Sequence, residues 1–316
     1  MAAAAAATLP GCQRSASTAS GVSSSQRGGA ALIKIGIVPI VDVAPLYLGV
    51  KKGFFHRRGI SLDMVPAQGG AAIVPGVVSG QLQIGYSNVT SLMIAQSKGM
   101  PIKALLNGVS STGKWGADCH GVAVRKDSPI RSARGLSGHT VAVNTLRNIM
   151  DTSVREAVRK DGGDPSKLRF VEMPFDQMPA ALAKGQVDAA EMGEPTMTIA
   201  KMQGARIVAW PFVATYPDLS AATYFTSTRE IQEKPALVKS FTLAMTEASQ
   251  YASSHSDEVR GIIPTYTQIN DRVIERLTLP RWPTKINMAS VRRLASLGEK
   301  DGIFDGKKPD LTALFS

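Results

Sequence analysis

The chain has 316 residues, 44% hydrophobic and 19% charged, with 29 glycines and 18 prolines. At about 100–200 residues per domain, this is two ordinary domains or one large one with a real core, and it is neither a disordered nor a fibrous chain. Lysine and arginine number 36 against 25 acidic residues, a formal charge of +11, which admits an anionic ligand, a membrane surface or nucleic acid as partner. No basic stripe interleaved with aromatics supports nucleic acid, and two cysteines exclude a disulfide framework or a four-thiolate zinc site.

Residues 1–31 read as a signal remnant and linker: a short alanine-rich stretch, Leu9-Pro10-Gly11-Cys12, then a Ser/Gly/Thr run. The stretch resembles the tail of a bacterial lipoprotein signal, cleaved ahead of a lipid-carrying Cys12, although Pro10 and the lack of a basic start depart from that pattern. The alternative is a polar tail with a free Cys12 thiol. No other window reaches the ~18 apolar residues of a membrane span.

From Leu32 onward the chain repeats itself. Gly80 to Lys103 aligns without gaps on Gly185 to Val208 at an offset of 105 residues, with Gly80/Gly185, Gln81/Gln186, Ile94/Ile199, Ala95/Ala200, Gly99/Gly204 and Ile102/Ile207 identical. The same offset lays Ile35-Gly36-Ile37-Val38 near Thr140-Val141-Ala142-Val143, so one α/β unit occurs twice. In the first copy the pattern predicts a strand at IKIGIV, a helix over Ala44–Phe55, a strand over Ile60–Val65 and a helix opened by Gly69-Gly70. A strand at Leu82–Gly85, a helix over Thr90–Lys98 and a strand at Ile102–Leu106 follow. The second copy runs from His139 to about Trp210, with a helix over Asp151–Lys160. Strands separated by helices imply mainly parallel sheets. The remaining segment begins with a helical face over Pro235–Ser253 and continues with helices near 257–266, 271–277 and 289–297, a helical C-terminal extension packed on the first unit. The predicted division is residues 32–119 plus 222–316 as lobe one and 120–221 as lobe two, joined by two crossings around a cleft.

Ligands of such sheets sit outside the strands' carboxyl ends, where helix N-termini offer free N–H groups. That rule nominates Val41, Asp42, Gln68, Gly69, Gly70, Tyr86, Ser87, Asn88 and Trp115 in lobe one, and Asn144, Thr145, Arg147, Asn148 and Glu191 in lobe two. Ser87, Asn88, Asn144 and Thr145 are neutral hydrogen-bonders that also serve as helix caps, and Arg147 offers a fork for a carboxylate, sulfonate or phosphate. Glu191 and Glu194 suit an amine on a zwitterion, a pairing with Arg147 or a latch between lobes. Tyr86, Trp115, Tyr224 and Phe225 are the aromatics available for stacking. The four histidines fall in no metal-binding or catalytic spacing, His120 alone lying near a crossing, and no GxSxG, P-loop or GxGxxG follows a strand. No cofactor and no metal are expected.

Ala44-Pro45-Leu46-Tyr47-Leu48-Gly49-Val50-Lys51-Lys52-Gly53-Phe54-Phe55 and Val78-Ser79-Gly80-Gln81-Leu82-Gln83-Ile84-Gly85 resemble the nitrate/sulfonate/taurine-type solute-binding proteins of ABC importers. Gly138–Val143 and Leu182–Ala190 continue the resemblance in the second unit, and the resemblance as a whole covers about Leu32 to Phe315. It implies a periplasmic binding protein type II fold and an extracytoplasmic monomer that captures a small organic anion by hinge closure. It also implies permease and ATPase subunits as partners, with Tyr86, Ser87, Asn88, Asn144, Thr145 and Glu191 at the ligand. The alternative is an enzyme on the same fold, a lyase or dehydratase acting on a small carboxylate; a related eukaryotic pyrimidine synthase carries a cysteine-rich motif that is missing here.

Overall fold

The computed structural model describes residues 30–315; Cys12 and the rest of the signal-like stretch lie outside them. The described strands are β1 (Ala31–Ile37), β2 (Ile60–Pro66), β3 (Ile84–Asn88), β4 (Ile102–Ser110), β5 (His120–Val124), β6 (Thr140–Val143), β7 (Arg169–Glu172), β8 (Ala189–Gly193), β9 (Arg206–Ala209) and β10 (Ser220–Ser227). The helices between them are α1 (Ala44–Lys51), α2 (Gly70–Ser79), α3 (Val89–Ser97), α4 (Ile149–Lys160), α5 (Met178–Ala183), α6 (Thr196–Met202) and α7 (Pro211–Thr215). After β10 come α8 (Thr228–Glu233), α9 (Pro235–Ser254), α10 (Ser256–Ile262), α11 (Asp271–Arg276), α12 (Met288–Lys300) and α13 (Leu311–Phe315).

Two five-stranded sheets result, ordered β2-β1-β3-β10-β4 and β7-β6-β8-β5-β9. The two orders are the same once the repeat is applied, and β3 and β8 occupy the same span at the offset of 105 residues. In each sheet one strand is antiparallel to both neighbours: β10 in the first and β5 in the second. The chain leaves the first sheet after β4, builds the second from β5 to β9 and returns as β10. The other observed pairings, β1 with β2 and β3 and β6 with β7 and β8, are parallel.

Local chemistry accounts for the elements. In β1 the β-branched Ile33, Ile35 and Ile37 are buried while Lys34 faces solvent, the alternation a half-buried strand needs. Helix α4 begins at Asn148, whose side chain accepts the Met150 N–H, and it carries Asp151 in its first turn and Arg159 and Lys160 in its last, matching the helix dipole at both ends. Helix α9 buries Val238, Phe241, Ala244, Met245 and Ala248 against α1. A side chain at Gly49 on α1 would put its Cβ 2.7 Å from the Ala248 Cβ, so that crossing requires glycine. One apolar cluster joins the first sheet to the C-terminal helices and also takes in Val143, Ile149, Met150 and Phe212 from the second unit, so the two halves are closed on each other. Two smaller clusters line the two faces of the second sheet.

Several boundaries differ from the predicted ones. Helix α1 stops at Lys51 and not at Phe55, because Gly53 takes a left-handed φ of 74° and turns the chain. The strand expected at Leu82–Gly85 starts later: the Leu82 N–H bonds back to the Gly76 carbonyl, still in the turn after α2. Tyr86, Ser87 and Asn88 therefore lie within β3 and not in the loop after it, and their repeat mates Glu191, Met192 and Gly193 lie within β8. Strand β4 runs on to Ser110, past the predicted end at Leu106, because β10 pairs along its whole length.

Candidate functional site

A cavity of about 40 Å³ lies between the two sheets, walled by Val38, Ile40, Asp42, Gly70, Tyr86, Ser87, Asn88 and His120 on one part, and by Asn144, Asn148, Ile149, Met150, Phe175 and Phe212 on the other, with Ala221 and Ala222. Three helix N-termini meet there: Gly70 is the first residue of α2, Asn88 caps α3, and Asn148, Ile149 and Met150 are the cap and first turn of α4. Free N–H groups at such ends carry a partial positive charge that favours anions by about 0.3–1 kcal/mol each. The approach is tight, because a Cβ at Gly70 would fall 2.1 Å from Ser87 Oγ.

The polar side chains form two groups. In one, Asn148 Nδ2 donates to Asn144 Oδ1 (2.8 Å) and Asn144 Nδ2 donates to the Gln68 carbonyl (3.2 Å), tying α4 to the segment before α2. In the other, the Tyr86 hydroxyl donates to Asp42 Oδ2 (3.2 Å), His120 Nε2 stands 4.0 Å from the same oxygen, and His120 Nδ1 donates to Glu191 Oε1 (3.0 Å). Phe212 stacks on the His120 ring at 4.4 Å, and Trp282 Nε1 donates to the Asp42 carbonyl (2.8 Å). Asp42 Oδ1 and Glu191 Oε2 are buried without a hydrogen-bond partner.

Electrostatics follow from this packing. Burial opposes a charge on His120, but Glu191 in contact and Asp42 and Asp118 nearby outweigh it and lift the imidazole to about 9, so it is protonated at neutral pH. Burial raises the Asp42 carboxyl above its ordinary value, with His120 and the Tyr86 hydroxyl pulling the other way. Burial also pushes the neighbouring Cys119 thiol well up, which leaves it a poor nucleophile.

Of the residues nominated from sequence, Asp42, Gly70, Tyr86, Ser87, Asn88 and Asn144 share the cavity wall, together with Asn148. The others stand elsewhere. Arg147 takes a left-handed φ of 56°, and its guanidinium pairs with the Ile303 carbonyl (2.7 Å) and Asp305 (2.6 Å), half exposed and away from the cavity wall. Trp115 is 65% exposed on the loop after β4. Tyr224 is fully buried between Tyr86 and Phe241, a core side chain and not a stacking platform. Glu191 sits behind His120 and pairs with it, not with Arg147. The Val41 N–H donates to the Glu194 carbonyl (3.2 Å), a bond between the two halves. Gly69 packs on Thr145, where a Cβ would come 2.4 Å from Thr145 Oγ1.

Gln68 faces a second space, a groove of about 700 Å³ that also includes Asp176, Pro179, Thr196, Ile199 and Gln268 and shares Val38, Ile40 and Phe175 with the cavity. His120, Phe212, Ile149 and Met150 were not nominated as ligand contacts. Position beside the crossing at Cys119-His120 is the sequence signal that marks His120; nothing in the pattern marks Phe212.

Among the described residues no group of three or more His, Cys, Asp or Glu is placed to hold a metal ion, and no helix is long and apolar enough to cross a membrane. A Bacillus subtilis (strain 168) protein named for aliphatic sulfonate binding is 24% identical over 251 residues, 78% of this chain and 72% of its own length. The taurine-binding periplasmic protein of Escherichia coli (strain K12) is 23% identical over 197 residues, 62% of this chain and 59% of its own length. Among solved structures, the alkanesulfonate-binding protein SsuA from Xanthomonas axonopodis pv. citri, bound to MOPS, superposes with a TM-score of 0.76 at 16% identity over 92% of this chain and all of that one. The desulfurization enzyme DSZB also shares the fold, at a TM-score of 0.63 and 16% identity over 90% of this chain and 96% of that one. Residues 40–259 match the family described as NMT1/THI5 like, and with that share of its length matched the chain belongs to this family.

Proposed function

We propose that the chain is the extracytoplasmic substrate-binding component of an ABC importer, capturing a small organic anion of the sulfonate, taurine, carboxylate or nitrate type between two lobes that close by a hinge. The observation that carries this reading is the meeting of three helix N-termini, those of α2, α3 and α4, on one cavity enclosed by both sheets. Residues 32–119 plus 222–316 form one lobe and 120–221 the other, with the crossings into β5 and out through β10 as hinges. A permease and an ATPase are the partners, and a lipid on Cys12 would supply the tether. The names of the relatives support the transport role. We read the chain as a binder and not an enzyme, which the buried Cys119 thiol, pushed well up by burial, favours.

Micromolar affinity needs about 8 kcal/mol, within reach of a few charge-assisted hydrogen bonds together with apolar contacts. The test is thermal unfolding with sulfonates, aromatic carboxylates, nitrate and taurine, paired with small-angle scattering. A binder at a hundred times its Kd stabilises the fold by about 2.7 kcal/mol and shifts the population toward the compact form. If no member of the panel stabilises or compacts the protein, this reading fails; product released from a bound ligand would establish the enzyme instead.

A further inference from the structure

His120 opens β5 directly after the crossing between the two halves, and both of its ring nitrogens face carboxylates. Nδ1 lies 3.0 Å from Glu191 Oε1 on β8 of the second sheet, and Nε2 lies 4.0 Å from Asp42 Oδ2 in the turn before α1. In the proposed division the Asp42 contact runs from lobe to lobe. All three side chains are buried. The ring has little room to turn away, because Phe212 stacks on it at 4.4 Å and a Cβ at Gly193 would come 2.6 Å from its Nε2. The other titratable groups around it have partners or are neutral. Asp118 on the crossing accepts from Ser111 and the Thr112 N–H, Tyr86 on β3 donates to Asp42, Glu194 after β8 accepts from Thr198 and the Thr278 N–H, and burial keeps the Cys119 thiol neutral. Among the described residues no lysine or arginine lines the cavity beside it, so the imidazolium is what offsets Asp42 and Glu191.

We propose that His120 is a proton-dependent tie at the hinge: protonated, it joins Asp42 of one lobe to Glu191 of the other, and loss of its proton to solvent favours opening of the cleft. The inference rests on the hinge reading above and adds what controls the hinge. A neutral imidazole has a single N–H. The shorter contact, to Glu191, keeps that hydrogen on Nδ1, which leaves the Nε2 lone pair facing the Asp42 carboxylate. An attraction between the lobes becomes a repulsion, in a ring that its packing holds in place. Because Asp42 faces the ring only when the cleft is shut, the closed form holds the proton more tightly than the open form. By linkage, a rise in pH through the His120 titration moves the population toward the open form. Glu191, Asp42 and Asp118 together outweigh burial and lift the imidazole to about 9, so the tie is made at neutral pH and breaks in alkaline solution.

The test is small-angle scattering on the ligand-free protein at pH 7 and pH 9.8, with far-UV circular dichroism alongside, on the unaltered chain, His120→Asn, Asp42→Asn and Arg293→Ala. The last of these removes an ion pair to Glu156 across the same lobe boundary. The unaltered protein should have the larger radius of gyration at pH 9.8 and recover the smaller one at pH 7, the open-to-closed ratio rising by up to about tenfold per pH unit. His120→Asn should be expanded at both pH values, and Asp42→Asn should lose the pH dependence; if one of them fails to fold, the other decides. Followed by NMR, the His120 ring should titrate about one pH unit or more lower in Asp42→Asn. An unaltered protein of constant size, beside an Arg293→Ala that expands, overturns the tie and leaves the hinge standing. If Arg293→Ala does not expand either, the tie and the hinge fall together. An expansion with pH that persists in either variant, or a His120 titration unmoved in Asp42→Asn, overturns the role of His120. Loss of the helical signal at pH 9.8 would show unfolding in place of opening and overturns it as well.

Discussion

Gly70 shows how narrowly the cavity is built. Its Cα approaches Ser87 so closely that an added Cβ would lie 2.5 Å from Ser87 Cα as well as 2.1 Å from Oγ, and the first of these is backbone that cannot swing away. Gly70→Ala should therefore cost about 1–3 kcal/mol as an overpacking defect and weaken ligand binding through displacement of the α2 N-terminus. Urea denaturation and a binding titration check the two effects separately. His120 gives a prediction in pH. Its folded pKa of about 9 exceeds the ordinary 6.5, so the stability it contributes is complete below pH 6.5 and is lost as pH rises through 9. The difference corresponds to about 3 kcal/mol, and the denaturation midpoint should fall between pH 6.5 and 9.5 in the unaltered protein but stay flat in that window in His120→Asn. A midpoint that falls equally in both would show the charge to be unimportant. Part of this chemistry was legible beforehand: a rule about strand ends and helix starts nominated Asp42, Tyr86 and Asn144 with no motif. It misplaced Arg147 because a left-handed φ and a partner 158 residues away, Asp305, decide where that side chain goes, and neither leaves a local trace. His120 and Glu191 meet only because β5 is inserted antiparallel beside β8, a pairing set by the return of the chain between sheets.

Helix α9 illustrates what periodicity does reveal. The face that spacing predicts, Leu237, Val238, Phe241, Ala244, Met245, Ala248 and Tyr251, turns inward, with Leu237 and Tyr251 half-buried at its edges and Phe241 fully enclosed beside Phe55 and Tyr224. Phe241→Ala should destabilise the fold by about 3–5 kcal/mol, measured as a lower urea midpoint, without altering the sulfonate preference of whatever remains folded. A loss under 1 kcal/mol would mean that the helix packs more loosely than its burial implies. The repeat was equally readable, because β3 and β8 occupy equivalent positions in their sheets and are buried along almost their whole length. Element ends were not. Leu82 looks like strand and behaves as turn, its N–H bonded to the Gly76 carbonyl, and β3 starts and ends later than expected, so that Tyr86, Ser87 and Asn88 lie within it as Glu191 lies within β8. Side chains anchored in strands are held more rigidly than loop residues, which suits a site that must be formed before the ligand arrives.

If the proposed lobes close as a hinge, charges outside the cavity wall hold them shut. On α4, the buried Glu156 accepts from Arg159 (2.6 Å) and from Arg293 of α12, and Arg159 reaches on to the nearly buried Asp301 (2.6 Å) at the end of α12. Arg147 adds a more exposed link to Asp305. In the proposed division α4 belongs to one lobe and α12 to the other, so the Arg293–Glu156 and Arg159–Asp301 pairs exist only when the cleft is shut, while Glu156–Arg159 lies within α4. Hydrogen bonds between charged groups contribute about 1.5–3 kcal/mol, against about 0–1 kcal/mol for an exposed pair such as Arg147–Asp305, so the latch is carried by Glu156, Arg159, Arg293 and Asp301. Arg293→Ala should leave Glu156 paired with Arg159, reduce the closed population by roughly tenfold for each 1.4 kcal/mol lost and weaken ligand affinity by the same factor if the open form does not bind. Small-angle scattering on the protein without ligand should show a larger radius of gyration for Arg293→Ala, and saturating ligand should restore the compact value, because the ligand supplies the closure energy that the latch no longer does. A variant whose radius of gyration equals that of the unaltered protein, with unchanged affinity, would place these pairs within one rigid body and move the hinge elsewhere.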